Sequence, residues 1–434
     1  MPISNPVVFV PGITASELRD EYPVDFERVW AVVTKDYARV ALHPDDPRYE
    51  AEQPSRVVGD RVFRLVYGEF IEELRHNLSP KPTLPVPVFP FGYDWRQPLE
   101  ITAARLAGFI EEVAARTALL PHYHKAGYEG AAKVNLVGHS MGGLVIAEYL
   151  AQAKDGHKAA RIATLGSPFR GSHEAVLKVA TGTADLGTNR SSSRERETAR
   201  VTPALYHLIP SYPGAVAADP GLKSDLFDPN AWQPAVLQSI EQYVRLYGRT
   251  SGSPQDRARA LFEQMLQQAA QQRQRMENLK LADAGLADDD WLALIGVGED
   301  TRFRLHIQDD RGQPWFDLAS KDRVNTWKPD GWRDQVNTGD GTVPYLGAQA
   351  AFLKTEKLVC VCDDDFGYWE LKDRLLEGVA AGLHATLPLM NLVQRLVVSH
   401  FLGRAYGKVW GRPAPDIGAA KWSPPIRKLR MKEG

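Results

Sequence analysis

Cysteine is nearly missing from this sequence, whose 434 residues hold only Cys360 and Cys362. Both stand in KLVCVC, two positions apart on what reads as one strand. Their side chains therefore share a face, where neighbouring sulfurs do not bridge. No further Cys/His cluster offers a zinc-type ligand set, so no metal site is expected and the pair reads as core packing. A basic excess is missing too. With 52 Lys and Arg against 54 Asp and Glu, the formal charge is -2. Nothing is left over to neutralise a run of phosphates, so a nucleic-acid partner is not expected. No apolar run approaches the roughly 18 residues that a membrane-spanning helix requires. The opening stretch, MPISNPVVFVPG, has no basic segment, and its apolar run breaks after four residues. A secretory signal is therefore not expected, and a cytoplasmic location is the default.

What is present is a recurring pattern of apolar runs that stop at glycine. PVVFVPG, KVNLVGHS and RIATLGSP each read as a short buried strand ending in a turn, and DWLALIGVG returns to the pattern near residue 290. Helical periodicity lies between them, over Leu99 to Leu119 with Leu106, Phe109, Ile110 and Val113 on one face, and again over Met141 to Ala153. Strand and helix alternating in this way predict an α/β protein with a mostly parallel sheet covered on both faces. The segment 173–289 breaks the pattern. It carries TGTADLGTNRSSSRERE, proline-punctuated stretches and a Gln/Arg-rich helix whose Leu261, Met265, Leu266 and Ala269 form one apolar stripe. That stripe suits either a cap packed over a core or an ordinary surface helix. The expected division is a core from 1–172 and 290–434 interrupted by the insertion 173–289. RFRLHIQDDRGQPWFDLA reads as a hairpin turning at Asp-Asp-Arg-Gly, and the tail from Gly411 as irregular.

GHSMG, at residues 138–142, matches G-x-S-x-G with a strand before it and a helix after it. Glycine at 138 and 142 allows the sharp turn that pushes a serine into a strained, exposed conformation. Ser140 then stands at a helix N-terminus, where free N–H groups favour developing negative charge, and the Met141 N–H is the first candidate oxyanion donor. The bland reading is a glycine-rich turn with a solvated serine. A serine hydroxyl attacks only if a base takes its proton and a third group orients that base, in the chain order Ser, acid, His. Asp340 in NTGDGTVP is the first candidate acid, with Asp363, Asp364 and Asp365 as fallbacks. After Asp340 only His384 and His400 remain. His400 is in step with the apolar face of the terminal helix, which reads as half-buried, whereas His384 precedes that helix in a loop, as a general base requires. His139 is tied to the elbow and reads as packing against a neighbouring loop.

PVVFVPGITASEL, FGYDWR, LVGHSMGG, TLGSPFRGS and GDGTVP occur in the order seen in the lecithin:cholesterol acyltransferase family, which this sequence resembles. The resemblance implies an α/β-hydrolase core with a cap or lid made by the insertion, acting on acyl esters of lipids through a serine acyl-enzyme. By position it implies Ser140 as nucleophile, Asp340 as acid and His384 as base. It places the second oxyanion N–H just after the Pro-Gly, at Ile13, with Gly12 allowing the close approach. Asp94 and Arg96 resemble a structural ion pair beneath the site. No cofactor is implied. The lid disulfides of secreted relatives have no counterpart, so lid contacts do not carry over. Water as the final acceptor gives a lipase or phospholipase, and an alcohol gives an O-acyltransferase. An esterase of small molecules or polyesters shares the triad, and a catalytically silent lipid- or partner-binding member shares the fold. Cap residues Leu205, Tyr206, Leu208, Ile209 and Tyr212 either line an acyl groove, with peripheral membrane contact, or pack cap to core.

Overall fold

A computed structural model describes residues 3–22, 25–45, 57–183, 193–318, 325–326, 335–367, 370 and 382–432. Six parallel strands form the central sheet, in the order Val359–Val361, Trp291–Gly296, Ala159–Leu165, Val134–His139, Val7–Val10, Val88–Pro90. The first strand, VVFV, shows why the runs are uniformly apolar. Val8 and Val10 face the helices Leu99–Ala118 and Met141–Ala153, while Val7 and Phe9 face Arg64–Leu78 and Asn391–Leu402. A strand covered on both sides has no polar face to alternate with. Cys360 and Cys362 join the first of these two layers, both buried and unbridged. Burial pushes the Cys362 thiol up to about 12, so it packs as a small apolar group.

A third apolar cluster lies over the carboxyl ends of the strands. It is built on the helices His173–Thr181, Pro234–Tyr247 and Pro254–Asn278, together with Leu305, Ile307 and Phe316 from a later hairpin. The helix Pro254–Asn278 starts from Ser253, whose hydroxyl caps the Asp256 N–H, with proline in the first turn. Leu261, Met265, Leu266 and Ala269 are buried along one stripe, so the helix packs and is not a solvated surface helix. The hairpin pairs Leu305–Asp310 with Gln313–Asp317 and turns at Arg311 and Gly312, both with positive φ, as a two-residue turn between twisted strands requires. An antiparallel sheet of Ser16–Asp20, Glu27–Trp30 and Val57–Val62 adjoins the core. Among the described residues, no helix is long and apolar enough to cross a membrane.

Candidate active site

The strand Val134–His139 ends at Ser140, where φ is 53° and ψ is -126°, and the helix Met141–Ala153 follows at once. A non-glycine residue held there stores on the order of 1–3 kcal/mol of strain. The flanking glycines make room for the turn. A Cβ on Gly142 would lie 2.1 Å from the Val10 carbonyl oxygen, and one on Gly138 would lie 2.6 Å from the Gly143 nitrogen.

Asp340 and His384 meet this serine from far along the chain. His384 Nε2 is 2.9 Å from Ser140 Oγ, and His384 Nδ1 is 2.6 Å from Asp340 Oδ2. The other carboxylate oxygen, Oδ1, accepts the N–H groups of Thr342 at 3.1 Å and Val343 at 2.7 Å. This local turn is what the Asp-Gly-Thr-Val sequence favours, and it aims Oδ2 at the imidazole. The His384 N–H also donates to the Asp340 carbonyl at 2.9 Å, so the Asp340 loop and the helical turn of His384 share a backbone tie. With Nδ1–H donating to the carboxylate, Nε2 is left to accept the serine proton. All three side chains are buried or nearly so.

The structure departs from the sequence reading at three of the weighed residues. His384 sits in a single helical turn, Gly382–Thr386, not in a loop. Thr386 closes that turn by donating its hydroxyl to the Leu383 carbonyl at 3.1 Å. His400 is fully buried, not half-buried. Its Nε2 lies 3.2 Å from the Asp290 carbonyl, and burial, helped by Arg161, lowers its pKa to about 4. Asp365, a fallback acid, accepts the Cys362 N–H at 3.0 Å, Trp410 Nε1 at 2.9 Å, Lys432 Nζ at 2.8 Å and Arg412. Burial raises its pKa, but Arg412 outweighs this and holds the carboxyl below the usual range. It anchors the tail. The tail itself is not wholly irregular, since Trp410–Gly411 pairs with Arg430–Met431.

The Pro11–Ala15 loop closes over the serine. A Cβ on Gly12 would lie 3.0 Å from Ser140 Cβ and 3.5 Å from Oγ. Neighbouring side chains tie the loop down: Tyr93 Oη donates to the Pro11 carbonyl at 2.8 Å, the Gly12 N–H donates to Tyr67 Oη at 3.3 Å, and Trp30 Nε1 donates to the Thr14 carbonyl at 2.9 Å. Thr14 has a φ of 62°, a true outlier for a β-branched residue. Among the described residues, the N–H groups of Ile13 and Met141 have no protein acceptor. Met141 is the first residue of its helix, where no intrahelical acceptor exists.

Asp94 and Arg96 form a fully buried bidentate pair, with Nη2 to Oδ2 and Nε to Oδ1 both at 2.8 Å. Burial alone would raise the Asp94 pKa, but Arg96 holds it below its ordinary value. The guanidinium also donates to the carbonyls of Val40 at 2.9 Å and Val57 at 3.2 Å. It therefore ties the N-terminal segments to the core and does not face the serine's reaction partner.

Ser140 and His384 open into a cavity of about 240 Å³ with a mainly apolar wall. Of the five insertion residues weighed above, Leu205 and Leu208 line it. Tyr206 and Ile209 pack inside the third cluster, and Tyr212 donates its hydroxyl to the Phe303 carbonyl at 2.6 Å. Sequence reasoning missed Lys35, Phe63, Val66 and Tyr67, which complete the wall from the N-terminal side. Tyr67 had one visible signal, its place with Phe70, Ile71 and Leu74 on the buried face of a helix, but such a tyrosine reads as core. Gly166 was also missed. Its φ is 54°, and a Cβ there would come within 2.8 Å of Asp340 Oδ2 and 3.1 Å of His384 Nδ1. Among the described residues, no group of three or more His, Cys, Asp or Glu is placed to hold a metal.

The model of the lecithin:cholesterol acyltransferase family matches residues 86–253, so the resemblance read from the motifs is shown over that stretch. No curated protein matches the sequence. Among solved structures, the chain is similar to one in the crystal structure of the Tle4-Tli4 complex, with 18% identity, 80% of this chain and 89% of that chain covered, and a TM-score of 0.52. It also aligns with the mature lipase BlEst2 of Bacillus licheniformis, at 14% identity over 68% of this chain and 67% of that one, with a TM-score of 0.24. Phospholipase PlaB from Legionella pneumophila, in complex with thio-NAD, aligns at 12% identity over 68% of this chain and 38% of that one, with a TM-score of 0.32. The fold is that of the α/β hydrolases.

Proposed function

We propose that this chain is a serine-dependent lipid ester hydrolase of the lipase or phospholipase type, in which residues 173–289 form the cap. The observation that carries the reading is the hydrogen-bonded series Ser140 Oγ, His384, Asp340, with contacts of 2.9 and 2.6 Å. In the proposed cycle, His384 Nε2 takes the Ser140 proton as Oγ attacks the ester carbonyl. The Ile13 and Met141 amides hold the oxyanion, and Asp340 stabilises the imidazolium. Collapse expels the alcohol, which leaves with the proton from His384, and an acyl-enzyme remains. Water, deprotonated by His384, then releases the acid and restores Ser140. The apolar cavity wall suits an acyl chain, and the family match over 86–253 supports acyl-ester chemistry.

A second reading, O-acyl transfer to an alcohol, is favoured by the description of that same family. It differs only in the group that meets the acyl-enzyme. The test is to incubate wild type and Ser140→Ala with mixed phospholipids, with and without a long-chain alcohol, and to identify products by mass spectrometry. Free fatty acid from the wild type alone supports hydrolysis, and a new ester formed only with the alcohol supports transfer. Fluorophosphonate labelling that survives Ser140→Ala would sink the assignment of the nucleophile. A wild type that neither labels nor turns over would favour a silent, binding-only role.

A further inference from the structure

Tyr67 is fully buried, and its hydroxyl lies between the two halves of the site. Its ring packs on Phe9 with centroids 4.7 Å apart, and its oxygen is 3.3 Å from the Gly12 nitrogen and 2.8 Å from His139 Nδ1. On the far side of that imidazole, His139 Nε2 is 2.9 Å from the carbonyl oxygen of His384. A peptide N–H only donates and a carbonyl only accepts, so the direction of every bond follows. Gly12 N–H donates to Tyr67 Oη, Tyr67 O–H donates to His139 Nδ1, and His139 Nε2–H donates to His384. One neutral tautomer of His139 satisfies the whole series. A doubly protonated ring would turn Nδ1–H toward Tyr67 and leave the phenol proton without its acceptor. Burial first, and the neighbouring His384 second, lower the His139 pKa to about 3, so the neutral ring persists at ordinary pH.

From this geometry we infer that Tyr67 and His139 are positioning residues that lock the Gly12–Ile13 loop to the turn carrying His384. The inference rests on the catalytic assignment proposed above. Ser140 is the next residue after His139, so one imidazole keeps nucleophile, base and oxyanion donors in common register. The bond from Gly12 to Tyr67 also commits that N–H, while the Ile13 N–H keeps no protein acceptor among the described residues. A loop that holds Thr14 at a φ of 62° needs such external ties, because a strained backbone relaxes unless its surroundings fix it.

The test compares wild type, Tyr67→Phe, His139→Leu, His139→Gln and the double variant Tyr67→Phe/His139→Leu. Turnover of p-nitrophenyl esters is measured per site titrated with a fluorophosphonate, alongside thermal melting. Displacing reacting groups by about 1 Å costs on the order of 10²-fold, so Tyr67→Phe and His139→Leu should each lower kcat about 10- to 100-fold. For Tyr67→Phe, whose ring still lines the cavity, KM should stay within about threefold. The double variant should fall no more than about threefold below the worse single one, since both cut the same series. His139→Gln should recover part of the loss, its amide N–H still reaching the His384 carbonyl. A wild-type kcat in Tyr67→Phe, or losses that multiply in the double variant and simply follow melting, would overturn the positioning role while leaving the serine mechanism standing. A wild type that fails to label would overturn both.

Discussion

Ile13 enters the proposed mechanism through its backbone proton alone, which makes it separable from the side chains around it. It is the second residue of a turn closed by the Ala15 N–H on the Gly12 carbonyl at 3.4 Å, with positive φ at Thr14. Proline is accepted at that position of such turns, and the preceding Gly12 tolerates the restriction that proline imposes. Ile13→Pro should therefore keep the turn and delete the donor. The expected result is a fall in kcat of about 10²–10³-fold with an unchanged melting temperature; a kcat near wild type would remove Ile13 from the oxyanion site. Asp340→Asn should lower kcat about 10⁴-fold, by disfavouring the His384 tautomer that accepts the serine proton, while Ser140 still aligns with the base. Steady-state kinetics with a crystal structure of the variant checks this. At this scale Ser140, Asp340 and His384 were legible because glycine punctuation and chain order leave few candidates. Tyr67 was not, since a tyrosine on an apolar helical face carries no mark of what its hydroxyl meets. Gly166 was hidden for the same reason: TLGSP records a turn but not the carboxylate and imidazole that come within reach of it.

Whole elements were legible where burial is two-sided and opaque where it is not. The runs VVFV, VNLVGH and WLALIG announce central parallel strands. By contrast, VVGDRV and SELRD mix apolar and charged residues and pair with register shifts, so neither alternation nor a continuous run betrays them. The helix Pro254–Asn278 was half-readable. Its apolar stripe was visible, but its last turns use polar groups to fasten the helix to its neighbours. Arg273 donates to the carbonyls of Phe169, His207 and Ile209, the last two at 3.0 Å, next to Pro168 and Leu208 in the cavity wall. Arg275 binds Glu148 at 3.0 Å and also Glu100, which lie on the two core helices. Arg273→Met fills similar space but orphans buried carbonyls, each worth about 1–3 kcal/mol when left unpaired. Unfolding in urea should show a loss of about 3 kcal/mol, and ester turnover should fall as the segments that Arg273 holds loosen beside the cavity. A stability within about 0.5 kcal/mol of wild type would mean that water readily replaces the guanidinium.

The molecule as a whole should be sensitive to mild acid, because several histidines are buried uncharged. Burial lowers the pKa of His139 to about 3, and those of His207 and His400 to about 4. Glu100, 3.8 Å from His207, opposes the shift there without cancelling it. In the unfolded chain each of these rings takes up a proton near pH 6.5, whereas the folded protein refuses it until pH 3 to 4. Between those limits the unfolded state binds more protons, so stability is complete above pH 6.5 and declines as pH falls. At pH 5.5 each ring costs about 1.4 kcal/mol, and the three together about 4 kcal/mol, a sizeable part of the 5–15 kcal/mol typical of a folded domain. Glu148 acts in the opposite sense, since burial raises its pKa and the folded state then takes up a proton above pH 4.5. Asp94 and Asp365, whose pKa values are lowered, lose their contribution only below about pH 4. Urea midpoints measured from pH 7.5 to 5.5 should therefore fall steadily with acidification. His400→Gln keeps an N–H for the Asp290 carbonyl but cannot titrate, so it should reduce the total loss between pH 7.5 and 5.5 by about 1.4 kcal/mol. Midpoints independent of pH across that window, or a variant slope equal to wild type, would contradict the neutral burial of these rings.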